Sequence, residues 1–149
     1  MAEPRPVENG EPDHDAIEAA NTAFYRAFES ADLDAMQELW LDDPETLCVH
    51  PGALPVRGTG AINRSWALIM ANTPYIQFFL TDVEVSVLDA TASVTCTENV
   101  LTADETTGPD TFGGAKAVAT NVFVRTEEGW RLWIHHASPV LSGASHDDA

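Results

Sequence analysis

The sequence is nearly without lysine. Lys116 is the only lysine among 149 residues, and with six arginines it stands against 24 acidic side chains, for a net charge of −17 at pH 7. A charge of this sign repels nucleic acids and anionic membranes, so we expect neither as a partner. An acid-rich, lysine-poor composition also fits a protein kept soluble in concentrated salt, where screening weakens self-repulsion. We therefore hypothesise a salt-adapted source.

Long apolar runs and cysteines are also scarce. The run WALIMA at 66–71 is among the longest, far below the ~20 residues of a membrane-spanning helix. The first residues, MAEPRPVENGEPDHD, are acidic and proline-rich and lack the apolar segment of a secretory signal, so a cytoplasmic location is expected. Cys48 and Cys96 are too few for a disulfide framework, and their apolar surroundings predict buried free thiols.

Apolar residues recur at helical spacing in the first half of the chain and predict three helices. The first begins at Asp13. The second follows Asp32, a favourable N-cap, and ends before Pro44, because the residue preceding a proline disfavours helix. The third is predicted to run from about residue 59 or 60 to Ala71.

The period changes to two in the second half, which predicts strands. A short strand at 46–50 comes before the third helix. The predicted longer strands follow it, at 75–89, 91–101, 115–125 and 130–140. The apolar phase of the first long strand slips near Thr81–Asp82, which predicts a β-bulge and a bent strand.

Helices followed by a meander of antiparallel strands define an α+β fold. We expect a strongly bent sheet with the helices on its concave face, forming a cone with a pocket inside. The length fits one domain, placed at residues 13–141, after a mobile acidic arm at 1–12 and before a flexible acidic tail at 142–149.

Two titratable residues are candidates for the chemistry of that pocket. His50 ends the short strand directly before Pro51, and a histidine that titrates near pH 6.5 suits proton transfer, although it could also be a structural histidine bonded to the backbone. Glu98 shares a strand face with apolar residues, where a carboxylate needs a partner. That partner could be His50; alternatively, Glu98 lies at a frayed strand end and meets solvent or Arg64.

Three polar residues of the last two strands are further candidates. Asn121 lies on one face with small residues and could be a pocket donor or an amide that satisfies a neighbouring strand end. His135 and His136 are consecutive, so they point to opposite faces of a strand. The row that contains Trp130, Leu132, Ile134 and His136 is the more apolar one. We therefore expect His136 inside and His135 on the outer face.

Large apolar side chains are expected to be core residues and, in part, to bind a ligand. The candidates for substrate binding are Phe24, Phe28, Trp40, Trp66, Met70, Phe78 and Phe123. No His, Cys or acidic ligands stand at a metal-binding spacing, and RGTG before the third helix lacks the lysine and length of a phosphate-binding loop. We therefore predict no metal and no cofactor.

Four segments carry a resemblance to a known superfamily. They are AFYRAFESADLDAMQELW, CVHPGALPVRGTGAINRSW, VATNVFVRTEEGW and WIHHASP. Their order over residues 13–140 resembles the cone-shaped nuclear transport factor 2-like superfamily, and in particular its SnoaL-like branch, related to polyketide cyclases and ketosteroid isomerase. The resemblance implies a small-molecule pocket and a homodimer formed through the outer sheet face, where the row with Trp133 could serve. Because isomerases, cyclases, dehydratases, hydrolases and binders share this fold, it implies no single reaction.

The resemblance also assigns positions. The ketosteroid isomerase base stands before a proline, which matches His50 here, and its oxyanion aspartic acid matches Asn121. Its oxyanion tyrosine matches Phe24, which has no hydroxyl, while Tyr25 lies about 100° further round the helix. The isomerase reaction by the same set of residues is therefore not expected.

The expected function is binding of a small apolar, ring-containing molecule in the pocket. His50 would act as general acid and base, Glu98 would orient it, and Asn121 or His136 would stabilise a developing oxyanion, for an isomerisation, cyclisation or dehydration. The alternative is a non-catalytic binding or dimerisation module.

Overall fold

The computed structural model describes residues 6–103 and 112–141, with side chains for 13–103 and 114–141. The elements are α1 (Pro6–Glu29), α2 (Leu33–Leu39), β1 (Leu47–Val49), β2 (Val56–Arg57), α3 (Thr59–Ala71), β3 (Ile76–Leu88), β4 (Thr91–Ala103), β5 (Phe112–Thr126) and β6 (Gly129–Pro139). The predicted tail at 142–149 and residues 1–5 of the predicted arm lie outside the described residues.

Helix α1 begins earlier than predicted. Its first residue is Pro6 rather than Asp13, so the backbone of 6–12 is helical and does not form a separate arm. Proline suits the first position of a helix, because the N–H that it lacks has no intrahelical partner there.

The strands form one six-stranded sheet in the order β2-β1-β6-β5-β4-β3. All neighbours are antiparallel except β1 and β6, which run parallel. The register of β3 against β4 shifts between Thr81 and Glu84, and Asp82 has a φ of 55°. This shift confirms the predicted bulge.

The helices pack against one face of the sheet. Residues at alternate positions of β4 and β5 point toward them, including Val94, Cys96, Ala119 and Phe123. With the bent sheet, this packing confirms the predicted α+β cone. Both cysteines are buried free thiols, as predicted. Within the described residues, no helix combines the length and apolar character needed to span a bilayer.

A second bulge, in β6, corrects the predicted orientation of the histidine pair. Val122 pairs with Ile134 but Phe123 pairs with Leu132, so Trp133 is an extra residue. Beyond it the alternation is reversed: His135 is buried, with 3% of its surface exposed, and His136 is exposed. The prediction that His136 faces the interior was therefore wrong.

Candidate functional site

A cavity of about 300 Å³ lies between the helices and the sheet. It is lined by Phe24, Tyr25, Phe28, His50, Pro51, Trp66, Ile69, Ile76, Phe78, Glu98, Val100, Ala115, Lys116, Ala117, His135 and Pro139. Its volume is at the lower end of the range for small-molecule sites. Three larger grooves, of about 600, 650 and 740 Å³, are more open to solvent and contain none of the titratable candidates.

His50 follows the end of β1 and is held by α3. Its Nε2 lies 3.2 Å from the Oγ of Ser65, and that hydroxyl donates its own proton to the carbonyl of Ile62 at 2.7 Å. Ser65 must therefore accept from Nε2–H, which leaves the lone pair on Nδ1. The Cys48 sulfur lies 3.6 Å from Nε2 and 3.9 Å from Nδ1.

The surroundings of His50 favour its neutral form. Its ring packs edge-on against Trp66, with centroids 4.8 Å apart, and the side chain is half-buried. This burial lowers the pKa of the imidazole below its ordinary 6.5. At neutral pH the ring is ready to accept a proton.

Glu98 lies on β4 with 4% of its surface exposed. Tyr25 of α1 donates a hydrogen bond of 2.6 Å to Glu98 Oε2. Burial raises the pKa of the Glu98 carboxyl, and the bond from Tyr25 offsets part of that rise. The partner of Glu98 in the structure is therefore Tyr25, and neither His50 nor Arg64. The raised pKa lets this carboxyl keep its proton to a higher pH than an ordinary glutamic acid.

Asn121 lies behind the cavity wall, completely buried. Its Nδ2 donates to Asn21 Oδ1 at 2.8 Å and to Tyr25 Oη at 3.2 Å. Its Oδ1 accepts from His135 Nδ1 at 2.6 Å. Because these bonds occupy both ends of the amide, Asn121 joins three side chains and does not reach a ligand itself.

His135 forms part of the cavity wall from β6. Burial, followed by the nearby imidazoles of His50 and His136, lowers the pKa of His135 to about 3. Its ring centroid is 4.7 Å from that of Phe24 and 6.5 Å from that of His50. The cavity therefore borders two imidazoles, and the His135 ring stays neutral down to strongly acidic pH.

The structure brings some of the predicted site residues together and separates others. Those that line the cavity are His50, Glu98, Phe24, Phe28, Trp66 and Phe78. Those outside its lining are Asn121, Trp40, Met70 and Phe123, in or against the core, and His136, which is exposed. Within the described residues, no three His, Cys, Asp or Glu side chains come together as a metal-binding group.

Among the lining residues that were not predicted are Tyr25 and His135, which both take part in the hydrogen bonds to Asn121. Tyr25 lies four residues after Asn21, so both side chains project from the same face of α1 into the core. Two polar residues at this spacing on a helix face that is otherwise apolar could have indicated the site. For His135 the sequence contains no comparable signal, since only the bulge at Trp133 turns it inward.

A bent α+β cone around a small, mostly apolar cavity, with histidine, tyrosine and glutamate side chains in its wall, defines the class of fold to which this chain belongs. Residues 17–142 match the model of the SnoaL-like domain family. The chain belongs to this family, which confirms the resemblance drawn from the sequence.

Solved structures agree with this assignment. A proposed dehydratase of the NTF2-like family from Streptomyces avermitilis is 50% identical, covers 89% of this chain and 99% of its own, and superposes with a TM-score of 0.82. A proposed association domain of calcium/calmodulin-dependent protein kinase type II from Thiobacillus denitrificans is 32% identical, over 83% of this chain and 94% of its own, with a TM-score of 0.71.

Among curated proteins, the F-box protein SKIP8 of Arabidopsis thaliana is 28% identical over 126 residues, which is 85% of this chain and 50% of that protein. The chain thus spans about half the length of this relative.

Proposed function

We propose that the protein is a cofactor-independent lyase that eliminates water from a small, apolar cyclic β-hydroxy ketone. The observation that carries this proposal is the pair of groups on the cavity: burial lowers the pKa of His50 and raises that of Glu98. An elimination requires a neutral base and an acid that keeps its proton to a higher pH than usual, and the two pKa shifts run in these directions. The 50% identity to a proposed dehydratase supports this reaction class.

The proposed reaction begins with proton transfer to the base. His50 Nδ1 takes the proton from the carbon between the carbonyl and the hydroxyl-bearing carbon. The electron pair of that C–H bond forms the C=C double bond as the C–O bond to the hydroxyl breaks. Glu98 gives its proton to the departing oxygen, which leaves as water, and Tyr25 holds the resulting carboxylate. Exchange with solvent then returns a proton from His50 to Glu98. Proton transfer by a positioned side chain of this kind increases the reaction rate by about 10²–10⁴-fold.

The test is the conversion of 3-hydroxycyclohexanone to cyclohexenone, followed by the ultraviolet absorbance of the conjugated product. We expect wild-type protein to catalyse this conversion, and the variants His50→Gln and Glu98→Gln each to lose it while remaining folded by circular dichroism. The matched control is His136→Gln, because His136 is exposed and lies outside the cavity lining. A folded His50→Gln variant with wild-type turnover would overturn the proposal.

A specific observation favours a second function, association of two copies through the outer sheet face. The outward residues of β4, β5 and β6 in this region are Thr95, Thr97, Val118, Thr120, His136 and Ser138. None of these six is an acid, a lysine or an arginine, although the chain has 24 acids; Lys116 next to Val118 and Asp82, which bonds Thr97 from β3, border the patch. Val118 is 48% exposed at the middle of this face. An apolar or neutral patch of this kind is typical of an interface.

We propose a homodimer through this face, which is compatible with catalysis in the cavity. Light scattering after size-exclusion chromatography is expected to give a dimeric mass for the wild type and a monomeric mass for Val118→Glu. Leu68→Glu is the matched control, since Leu68 is 66% exposed on α3, away from the sheet. A monomeric wild type, or a dimeric Val118→Glu variant, would contradict the interface.

A further inference from the structure

Four side chains are joined in a chain of hydrogen bonds that runs in one direction behind the cavity wall. His135 Nδ1 bonds to Asn121 Oδ1 at 2.6 Å, and Asn121 Nδ2 donates to Tyr25 Oη at 3.2 Å. Tyr25 Oη then donates to Glu98 Oε2 at 2.6 Å. Both ends of the chain, His135 and Glu98, line the cavity, whereas Asn121 at its middle is completely buried.

The direction of this chain follows from counting protons. With the Glu98 proton on Oε1, Oε2 can only accept; Tyr25 therefore donates its single O–H to Oε2, and the Tyr25 oxygen must accept from Asn121. The NH₂ group of Asn121 therefore faces Tyr25. One of its N–H bonds donates to Tyr25, and the other donates to Asn21 Oδ1 at 2.8 Å. The amide oxygen is left to face His135, and an oxygen can only accept. His135 Nδ1 must therefore carry the proton.

Asn21 holds the amide in this orientation from α1. Its side chain is 1% exposed, and it also forms a hydrogen bond with the buried sulfur of Cys96. The Asn21 oxygen accepts from Asn121, so the Asn21 NH₂ group is the end that bonds the sulfur. Reversing the Asn121 amide would place two oxygens, of Asn21 and Asn121, against each other.

A neutral imidazole with its proton on Nδ1 has its lone pair on Nε2. His135 lines the cavity, and among the described residues its Nε2 has no hydrogen-bond partner. We infer that His135 Nε2 is a binding subsite for a hydroxyl group of the ligand, and that Asn121 is the positioning residue that fixes the required tautomer.

This inference rests on the proposed function and extends it. In a cyclic β-hydroxy ketone, the hydroxyl that leaves would donate a hydrogen bond to His135 Nε2 and keep its proton, while its oxygen receives a second proton from Glu98 and departs as water. Because Glu98 and His135 are the two ends of one hydrogen-bonded chain, the enzyme would hold the leaving group at two points. A hydroxyl is thus selected over an ether or a bare ring carbon, which cannot donate to Nε2.

The first experiment reads the tautomer directly. Long-range proton–nitrogen correlation spectra of protein labelled with ¹⁵N-histidine are expected to show His135 with a protonated Nδ1 and an unprotonated Nε2. In Asn121→Asp, the carboxylate still accepts from Nδ1 but cannot donate to Tyr25, and its charge stabilises the imidazolium. The pH at which His135 titrates is therefore expected to rise in this variant. A wild-type His135 with its proton on Nε2 would overturn the inference.

The second experiment tests the subsite with cyclohexanol and its methyl ether, methoxycyclohexane, as probes. Wild-type protein is expected to bind the alcohol about tenfold more tightly than the ether, as one hydrogen bond allows, with a shift of the His135 Nε2 resonance for the alcohol alone. His135→Leu should lose this preference, whereas His136→Gln should keep it. Equal binding of the two probes by wild-type protein would contradict the proposed subsite. If the two probes bind equally but 3-hydroxycyclohexanone is still converted, the proposed function stands without the subsite. If the alcohol is preferred but 3-hydroxycyclohexanone is not converted, the result supports the subsite and contradicts the proposed function.

Discussion

At the scale of single residues, His135 connects burial with a measurable pH dependence. Its pKa falls from an ordinary 6.5 to about 3 in the folded protein, mainly through burial. Between those two values the unfolded chain binds a proton at this imidazole and the folded chain does not. The contribution of His135 to the free energy of unfolding is therefore fully present above pH 6.5. It is lost progressively as the pH falls from 6.5 toward 3.

We predict that wild-type protein loses about 1.4 kcal/mol of unfolding free energy per pH unit through His135 in that window. The variant His135→Gln should be less sensitive to acid, because glutamine does not titrate. Urea unfolding at neutral and at mildly acidic pH gives the difference. His14→Gln, at an exposed position of α1, is expected to follow the wild type. Identical acid sensitivity of the wild type and His135→Gln would contradict the assignment.

The sequence could locate part of this site but not its hydrogen bonds. His50 is predictable because a strand end, a histidine and a proline coincide there. Tyr25 is harder to predict, since Phe24 and Tyr25 are about 100° apart on the helix and both line the cavity. The ring of Phe24 packs toward Trp66 and that of Tyr25 toward Phe78, so the cavity lies along both sides of this part of α1.

At the scale of elements, the junction of α1 and α2 contains a strained residue. Asp32 N–H bonds to the Ala27 carbonyl and Ala31 N–H to the Phe28 carbonyl, the pattern of a Schellman C-cap. Ala31 has a φ of 54°, a conformation that glycine adopts more easily. The next residue, Asp32, caps α2 through the backbone N–H of Ala35 at 3.0 Å. One turn therefore ends the helix that carries Tyr25 and starts the next helix.

We predict that Ala31→Gly raises the unfolding free energy by about 0.5–1 kcal/mol, because it removes the left-handed strain of alanine. The matched control is Ala19→Gly, at an exposed position within α1, which should lower the unfolding free energy by about 1 kcal/mol. Chemical denaturation of both variants measures these changes. A loss of stability in Ala31→Gly would show that the turn is not strained at this residue.

The two bulges show what a strand pattern can and cannot reveal. In β3 the slip is visible in the sequence, because apolar residues occupy one parity up to Leu80 and the other from Val83 onward. In β6 the extra residue is Trp133, and the apolar residues on either side of it, Leu132 and Ile134, are on the same parity, so the sequence shows an unbroken alternation. The type of a side chain does not reveal that it occupies a bulge. For this reason the sequence placed His136, rather than His135, inside.

At the scale of the whole molecule, the order of the elements was enough to predict the cone. Helices that precede long alternating strands have few ways to cover one face of a sheet. The volume of the cavity was not predictable, because it depends on how closely Trp66 and Phe78 approach across it. That packing depends on the tertiary structure and is not contained in any local pattern.

The charge of the whole chain leads to a prediction about salt. With a net charge of −17, repulsion between acids opposes folding at low ionic strength. We predict that the thermal midpoint of unfolding rises from low to molar KCl, as screening removes that repulsion. A midpoint that is unchanged or lower in molar KCl would contradict the hypothesis of salt adaptation.

The most direct test of the proposed acid–base site is to titrate His50 and Glu98 in the same sample. Nuclear magnetic resonance of protein with labelled histidine and glutamate side chains would follow both groups across the pH range. We predict that His50 titrates below the ordinary value for histidine and Glu98 above that for glutamic acid, since burial disfavours the charge of each. A raised His50 pKa with a lowered Glu98 pKa would indicate an ion pair between them. That result would contradict the account of a neutral base and a protonated acid on one cavity.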